Sequence, residues 1–304
     1  MPPVVFVFLD GVGLGPAGEY NPFSRAYLPA IQHVLDKPLV AGAEQARPGL
    51  LLTALDALLG VEGIPQSATG QAALFTGINV VRQLGYHLPA YPNAVLTEVL
   101  HDHNILRQAT DRGYRATFAN AYSPLYFEMV KREKRRMSAT THSVLGANIP
   151  FRWLEDLKQG QAVYWDVTNE QLVTRFGIDI PIITPEQAGR NLAGLSRNHD
   201  LVLYESFLHD LIGHRRQMDE AIKMLDRLDR FLGSLWANVT PETTVLLCSD
   251  HGNIEDLSRG CHTTNPVPLL VKGPGAVLFE HARSLIDVAR PIVALLEKDG
   301  AQKS

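Results

Sequence analysis

The chain is poor in cysteine, with only Cys248 and Cys261 among 304 residues. Two cysteines cannot build a disulfide scaffold, and their scarcity sets the expectation of a reducing, cytoplasmic compartment. Long apolar runs are lacking too. The opening MPPVVFVFLDG has no basic leader and its apolar stretch stops at Asp10. No segment reaches the ~18 uninterrupted apolar residues of a spanning helix, so neither a signal peptide nor a membrane partner is expected. An excess of one charge is also missing: 32 acidic residues stand against 28 basic ones, a formal net charge of -4. That balance offers no footprint for a nucleic-acid backbone, and the one basic run, Lys131 to Arg136 (KREKRR), is local. With 45% hydrophobic and 20% charged residues, 24 Gly and 19 Pro, the composition is neither disordered nor collagen-like. What remains is a globular chain, long enough for one large core or two ordinary ones.

Short apolar runs bounded by polar or turn residues occur at Val4 to Leu9, Leu201 to Tyr204, Val245 to Cys248 and Val267 to Val271, with Tyr114 to Ala119 a weaker example. Such runs, β-branched and non-alternating, predict strands buried on both faces of a parallel sheet. Helical patterns lie between them at Ala94 to Leu106, Pro185 to Leu195, Met218 to Trp236 and His281 to Leu296. In the third, Met218, Ala221, Ile222, Leu225, Leu228, Leu232 and Leu235 recur at three- and four-residue steps opposite a charged face. Alternating strands and helices predict an α/β fold with a mostly parallel central sheet. The least regular region, 124–185, holds the basic run and an alternating segment at Ala162 to Val167 that reads as a strand. We expect it to be a small inserted cap, with 1–123 and 186–304 forming the core.

Three expected strands run into acids: VVFVFLD at Asp10, LVLYESFLHD at Asp210, and TVLLCSDH at Asp250 with His251. In open α/β sheets the carboxyl ends of the strands share one edge, where ligands bind, so these acids converge. His214 follows Asp210 by four residues, and His262 lies in RGCHTTNPVP. Taken singly, Asp10 reads as a tight turn, Asp210 with His214 as a helix cap and a surface histidine, and Asp250-His251-Gly252 as a polar turn. Taken together they favour a two-metal site, and aspartate with histidine suits Zn, Mn or Fe better than Mg or Ca. Ser67, in GIPQSATGQAALFTG, sits at or just before a helix N-terminus, where backbone N–H groups favour an alkoxide or phosphate. An ordinary N-cap, with Thr69 equally suitable, is the competing account.

The segments FLDGVGLG, QSATGQ, DLIGH and SDHGNIEDLSRGCHTTNPVPLLVKG occur in this order, and NPFSRAYLPAIQHVL follows the first. As a set they resemble the alkaline phosphatase superfamily, and the last segment is most similar to the branch of cofactor-independent phosphoglycerate mutase and phosphopentomutase. The resemblance implies a three-layer α/β sandwich with two divalent metal ions, Zn or Mn. One would be held by Asp210, His214 and His262, the other by Asp10, Asp250 and His251. Ser67 would contact the metals as the nucleophile and carry a phosphoserine intermediate. Asn253, Glu255 and Thr69 are candidates to orient the ligands. The sequence departs from the mutases at Gln71, where they commonly have His.

A second departure is the interval between Ser67 and Asp210, where the mutases of this branch insert a large enclosing domain. Only about 60 residues are left here for a cap, against ~100–150 for an independent domain. A small cap excludes water poorly, so the expected activity is a phosphatase or phosphodiesterase acting on a small phosphorylated metabolite. The alternatives are a phosphosugar or phosphoglycerate mutase and, in another class, a non-catalytic metal- and phosphate-binding module. Cys248 reads as core and Cys261 as having no metal role; Arg215, Arg216 and the KREKRR run read as solvated helix faces. Strand alternation is expected to turn His209 away from Asp210, and the remaining histidines carry no assignment. Nothing in the sequence addresses the oligomeric state.

Overall fold

The hexapeptide VVFVFL forms β1 (Val4–Leu9), buried at every position, and everything that matters for the site is arranged around it. The computed structural model of the chain describes residues 2–297. In chain order the further strands of the main sheet are β2 (Gln45–Arg47), β3 (Leu50–Leu55) and β4 (Ala116–Phe118). A short parallel pair, β5 (Ala121–Tyr122) and β6 (Arg152–Trp153), stands apart from it. The main sheet is completed by β7 (Leu201–Ser206), β8 (Thr244–Cys248) and β9 (Val267–Lys272). Its seven strands run in the order β2-β3-β9-β8-β1-β7-β4.

The central four, β8-β1-β7-β4, are parallel, and β9, β3 and β2 continue the sheet in antiparallel pairings. The expected parallel core is therefore present, extended on one side by antiparallel strands. β3 has no counterpart in the sequence reading, because LLLTAL is rich in leucine and holds a single β-branched residue, Thr53.

Pleating sends alternate β1 side chains to opposite faces. Phe6 and Phe8 pack with the helices Ser67–Thr76, Ala94–His103, Ile105–Thr110, Ala139–Gly146 and Ala289–Glu297. Val5 and Val7 pack with Pro29–Leu35, Pro185–Ser196 and Met218–Asn238 on the other side. Helices on both faces of one sheet give the three-layer sandwich. Among the described residues no helix is long and apolar enough to cross a membrane.

Three local expectations need correction. Ala162 to Val167 forms no strand; only an isolated bridge joins Val163 to Asn120. The pattern from Ala94 to Leu106 is two helices, broken at Asn104, whose side chain caps the second by accepting from Arg107 N and donates to the Leu100 carbonyl. His281 to Leu296 holds a single 3-10 turn at Leu285–Asp287, and the α-helix starts only at Ala289, because the Ser284–Asp287 capping box fixes that turn.

Residues 124–185 contribute in two ways. Helix Ala139–Gly146 buries Thr140, Thr141 and Val144 in the main core. Ala121, Leu157, Ala162, Tyr164, Leu172 and Ile180 form a small satellite cluster. The basic run is exposed, with Arg135 over the Tyr126 ring at 4.8 Å and Arg136 over Tyr91 at 5.7 Å.

Candidate metal centre

Asp10 ends β1 and points into the space above the carboxyl edge of the sheet, its backbone N–H donating to the Ser206 carbonyl of β7 at 3.0 Å. Gly11 then turns with φ +75°, and a Cβ there would lie 2.7 Å from Cβ of Asp210. Only glycine lets these two segments approach so closely. Successive amides of the turn are tied to the loop after β8: Gly11 N to Asp250 Oδ1 (3.3 Å), Val12 N to Ser249 Oγ (2.9 Å) and Gly13 N to Glu255 Oε2 (2.9 Å).

Asp210 is not the end of a strand. β7 stops at Ser206, and Asp210 lies in the first turn of helix Leu208–Arg215. Helical spacing places His214 one turn on, its Nε2 3.3 Å from Asp210 Oδ2. His209 follows helical geometry as well. It is 1% exposed, neither ring nitrogen has a side-chain partner, and burial pushes its pKa down to about 4.

Two groups of donor atoms result, each lying within 4.8 Å of one another: Asp10, Asp250 and His251, and Asp210, His251 and His262. The first is the expected second set. In the second, His251 stands where the sequence reading places His214, and His214 is an outer neighbour, its ring centroid 5.2 Å from that of His262. His251 and His262 stack at 3.7 Å. All three imidazoles turn Nδ1 toward a backbone carbonyl: His214 to Gly260 (3.0 Å), His251 to Gly252 (3.3 Å) and His262 to Pro65 (2.9 Å). A carbonyl accepts a proton, so Nδ1–H faces it and Nε2 is aimed at the carboxylates, the arrangement that prepares a histidine to ligate.

The charge in this space is concentrated and poorly solvated. Burial, then the neighbouring Asp250 charge, holds Asp10 well above the usual carboxylate range, and burial raises Asp250. Burial disfavours a charged His251 ring, but Asp250 and Asp10 beside it keep its proton on up to about 10. Asp210 is held well below the usual range: burial works against this, but the His262 bond and the His251 charge prevail. Among the described residues Asp10 Oδ1 has no contact beyond the His251 ring, whose Nε2 lies 3.1 Å away. A buried carboxylate oxygen facing an imidazole nitrogen fits a divalent cation.

Ser67 opens helix Ser67–Thr76, and its Oγ lies 3.0 Å from His251 Nε2. Thr69 turns elsewhere, donating to the Gln66 carbonyl and accepting from Leu88 N, and so anchors a loop. Asn253 donates to Asp210 Oδ1 at 2.6 Å. Glu255 touches no donor of either group; it accepts from Gly13 N, Asn253 N, Asn265 Nδ2 and Thr263 Oγ1 and pins three loop segments together. The sequence reading gave Gln71 no place among the site residues, yet its amide contacts both Asp10 and Asp250. The available signal was its spacing of four from Ser67 on one helix. Cys248 is buried core, Cys261 is exposed, and Arg215 pairs with Glu220 at the surface.

A family model described as the Metalloenzyme superfamily matches residues 188–299. The 2,3-bisphosphoglycerate-independent phosphoglycerate mutase of Desulforudis audaxviator is 36% identical over 128 residues, 38% of this chain and 25% of the mutase. That of Cereibacter sphaeroides is 26% identical over 140 residues, 43% of this chain and 28% of the mutase. The matched part thus spans about a quarter of these relatives' length. Among solved structures, the alkaline phosphatase from the Antarctic bacterium TAB5 has a similar fold, with a TM-score of 0.55 at 14% identity over 97% of both chains.

Proposed function

We propose that this chain, whose residues 188–299 match the Metalloenzyme superfamily, is a two-metal phosphoryl hydrolase of the alkaline phosphatase superfamily, acting on a small phosphorylated metabolite through a phosphoserine at Ser67. The observation that carries this reading is the position of Ser67 Oγ, 3.0 Å from the one imidazole that belongs to both donor groups. Asp10, Asp250 and His251 would hold one ion. Asp210 and His262, with His214 beside them, would hold the other. Bound divalent ions supply positive charge for the attacking and leaving oxygens of an in-line displacement.

The chain's own groups do the rest. The N-terminus of helix Ser67–Thr76 directs its first backbone N–H groups and the positive end of its dipole toward a phosphoryl group at Ser67. Oγ loses its proton as it bonds to phosphorus, the ester oxygen leaves and takes up a proton as the alcohol, and water then cleaves the phosphoserine, returning the Ser67 hydroxyl and inorganic phosphate. Asn253 keeps Asp210 in place, and the three backbone carbonyls keep the imidazoles in place.

The internal segment 124–185 supports hydrolysis over internal transfer. It is short, and part of it is spent on the main core through Ala139–Gly146, so little of it can enclose a substrate. The curated relatives favour a mutase as the second reading. Elemental analysis for Zn and Mn, followed by phosphate release from a panel of monoesters, diesters and sugar phosphates, tests both. Phosphate release that falls by about a thousandfold or more in Ser67→Ala is expected. Full activity in Ser67→Ala removes the nucleophile, and an isomer formed without phosphate establishes the mutase.

A further inference from the structure

Gln71 shares a helix face with Ser67, one turn later, and is 4% exposed. Its Nε2 donates to Asp10 Oδ2 at 3.2 Å and to Asp250 Oδ2 at 3.1 Å. A side-chain amide nitrogen carries two protons, so each carboxylate receives its own N–H. The two aspartates extend neighbouring strands, with Phe8 of β1 paired to Cys248 of β8 just below them. Gly70 sets the depth of the contact. A Cβ there would lie 2.7 Å from the Asp250 carbonyl oxygen, so the helix is pressed against that strand end as closely as backbone allows.

The remaining oxygens are sorted by these bonds. Asp250 Oδ1 accepts from Gly11 N and His251 N. Among the described residues Asp10 Oδ1 meets only His251 Nε2, at 3.1 Å. None of Asp210, His214 and His262 bonds to Gln71 among the described residues.

We infer that Gln71 is a positioning residue for one of the two ions: it fixes one oxygen on each of Asp10 and Asp250, presents Asp10 Oδ1 inward, and ties the Ser67 helix to the same carboxylates. The inference rests on the two-metal reading. A neutral amide suits this role because a cationic donor would compete with the ion, whereas a carboxylate would add a like charge about 3 Å from two others.

The test is calorimetric titration of the chelator-stripped full chain with Mn²⁺ alone, for the wild type, Gln71→Leu and Gln71→Met. Both substitutions remove the two N–H donors at similar volume, and circular dichroism selects whichever is folded. Two ions are expected to bind the wild type. In the variant one affinity should fall by about 10- to 100-fold and the other should stay within about twofold. Unchanged affinities, or an equal loss at both sites, overturn the positioning role. A wild type that takes up fewer than two Mn²⁺ overturns the two-metal reading itself, an outcome seen before any variant is titrated. A merely structural glutamine would not weaken one ion selectively.

Discussion

His251 Nε2 lies 3.0 Å from Ser67 Oγ and 3.1 Å from Asp10 Oδ1, so one imidazole faces both the candidate nucleophile and a carboxylate from the opposite end of the chain. Its ring is completely buried and is held from behind by the Gly252 carbonyl, which leaves Nε2 a single direction in which to point. The same residue belongs to both donor groups, whereas Asp10 belongs to one.

Nε2 has a single lone pair and Nδ1 is turned to the Gly252 carbonyl, so His251 can ligate one ion of the two. His251→Ala and Asp10→Asn are therefore each expected to weaken the same ion and to spare the ion at Asp210 and His262. Mn²⁺ titration of the two stripped proteins checks this; two intact high-affinity sites in His251→Ala would show that this imidazole is no ligand.

Asn253 does for Asp210 what a donor must do for a ligating carboxylate, contributing a 2.6 Å bond to Oδ1 and a 3.2 Å bond to the backbone carbonyl. Gly213 packs directly on it, a Cβ there being 2.7 Å from the Asn253 amide. Asn253→Ala should therefore weaken the ion at Asp210 and His262 by about 10- to 100-fold while sparing the ion at Asp10 and Asp250. Equal weakening of both would instead mean a general loosening of the loop after β8.

Glu205 predicts a pH dependence. It is buried on β7, accepts from Thr140 Oγ1 at 2.7 Å, and its pKa is raised to about 7, chiefly by burial. The unfolded carboxyl releases its proton near 4.5, so between that value and about 7 the folded chain holds the extra proton. Stability is thus full below about 4.5 and is lost as pH rises through about 7, by on the order of 3 kcal/mol in all. Urea unfolding in chelator at pH 5 and pH 8 should show a loss in Glu205→Gln, which keeps an acceptor for Thr140, that is smaller than the wild type's by about this amount. Parallel losses in the two proteins would rule Glu205 out as the source.

Much of the architecture is legible from sequence because buried parallel strands are short, apolar and β-branched, as at Val4–Leu9 and Thr244–Cys248. The aspartates and histidines are legible because they follow such strands. What escapes is whatever depends on a partner. LLLTAL pairs as a strand because β9 lies beside it. Asn253 and Glu255, two residues apart and alike in polarity, differ in that one reaches Asp210 and the other collects backbone amides. Gln71 stands out in the sequence only as a departure from the mutases, and its role takes shape when two carboxylates from distant strands meet its amide. Asp210 looks like a strand end in the sequence because Phe207 and Leu208 prolong the apolar character past the point where β7 gives way to a helix.

β1 sits between β7 and β8, so its two hydrogen-bonding partners are residues 201–206 and 244–248. During synthesis this apolar strand emerges before both partners and must wait, with both edges unsatisfied until β7 is made and one edge until β8 is, on the order of tens of seconds at ~5–20 residues per second. Until then it is a sticky segment with nothing to pair with, the kind of intermediate that holding chaperones protect. Asp10 travels with it, so the carboxylate furthest upstream is made first and meets the other donors only when the sheet closes.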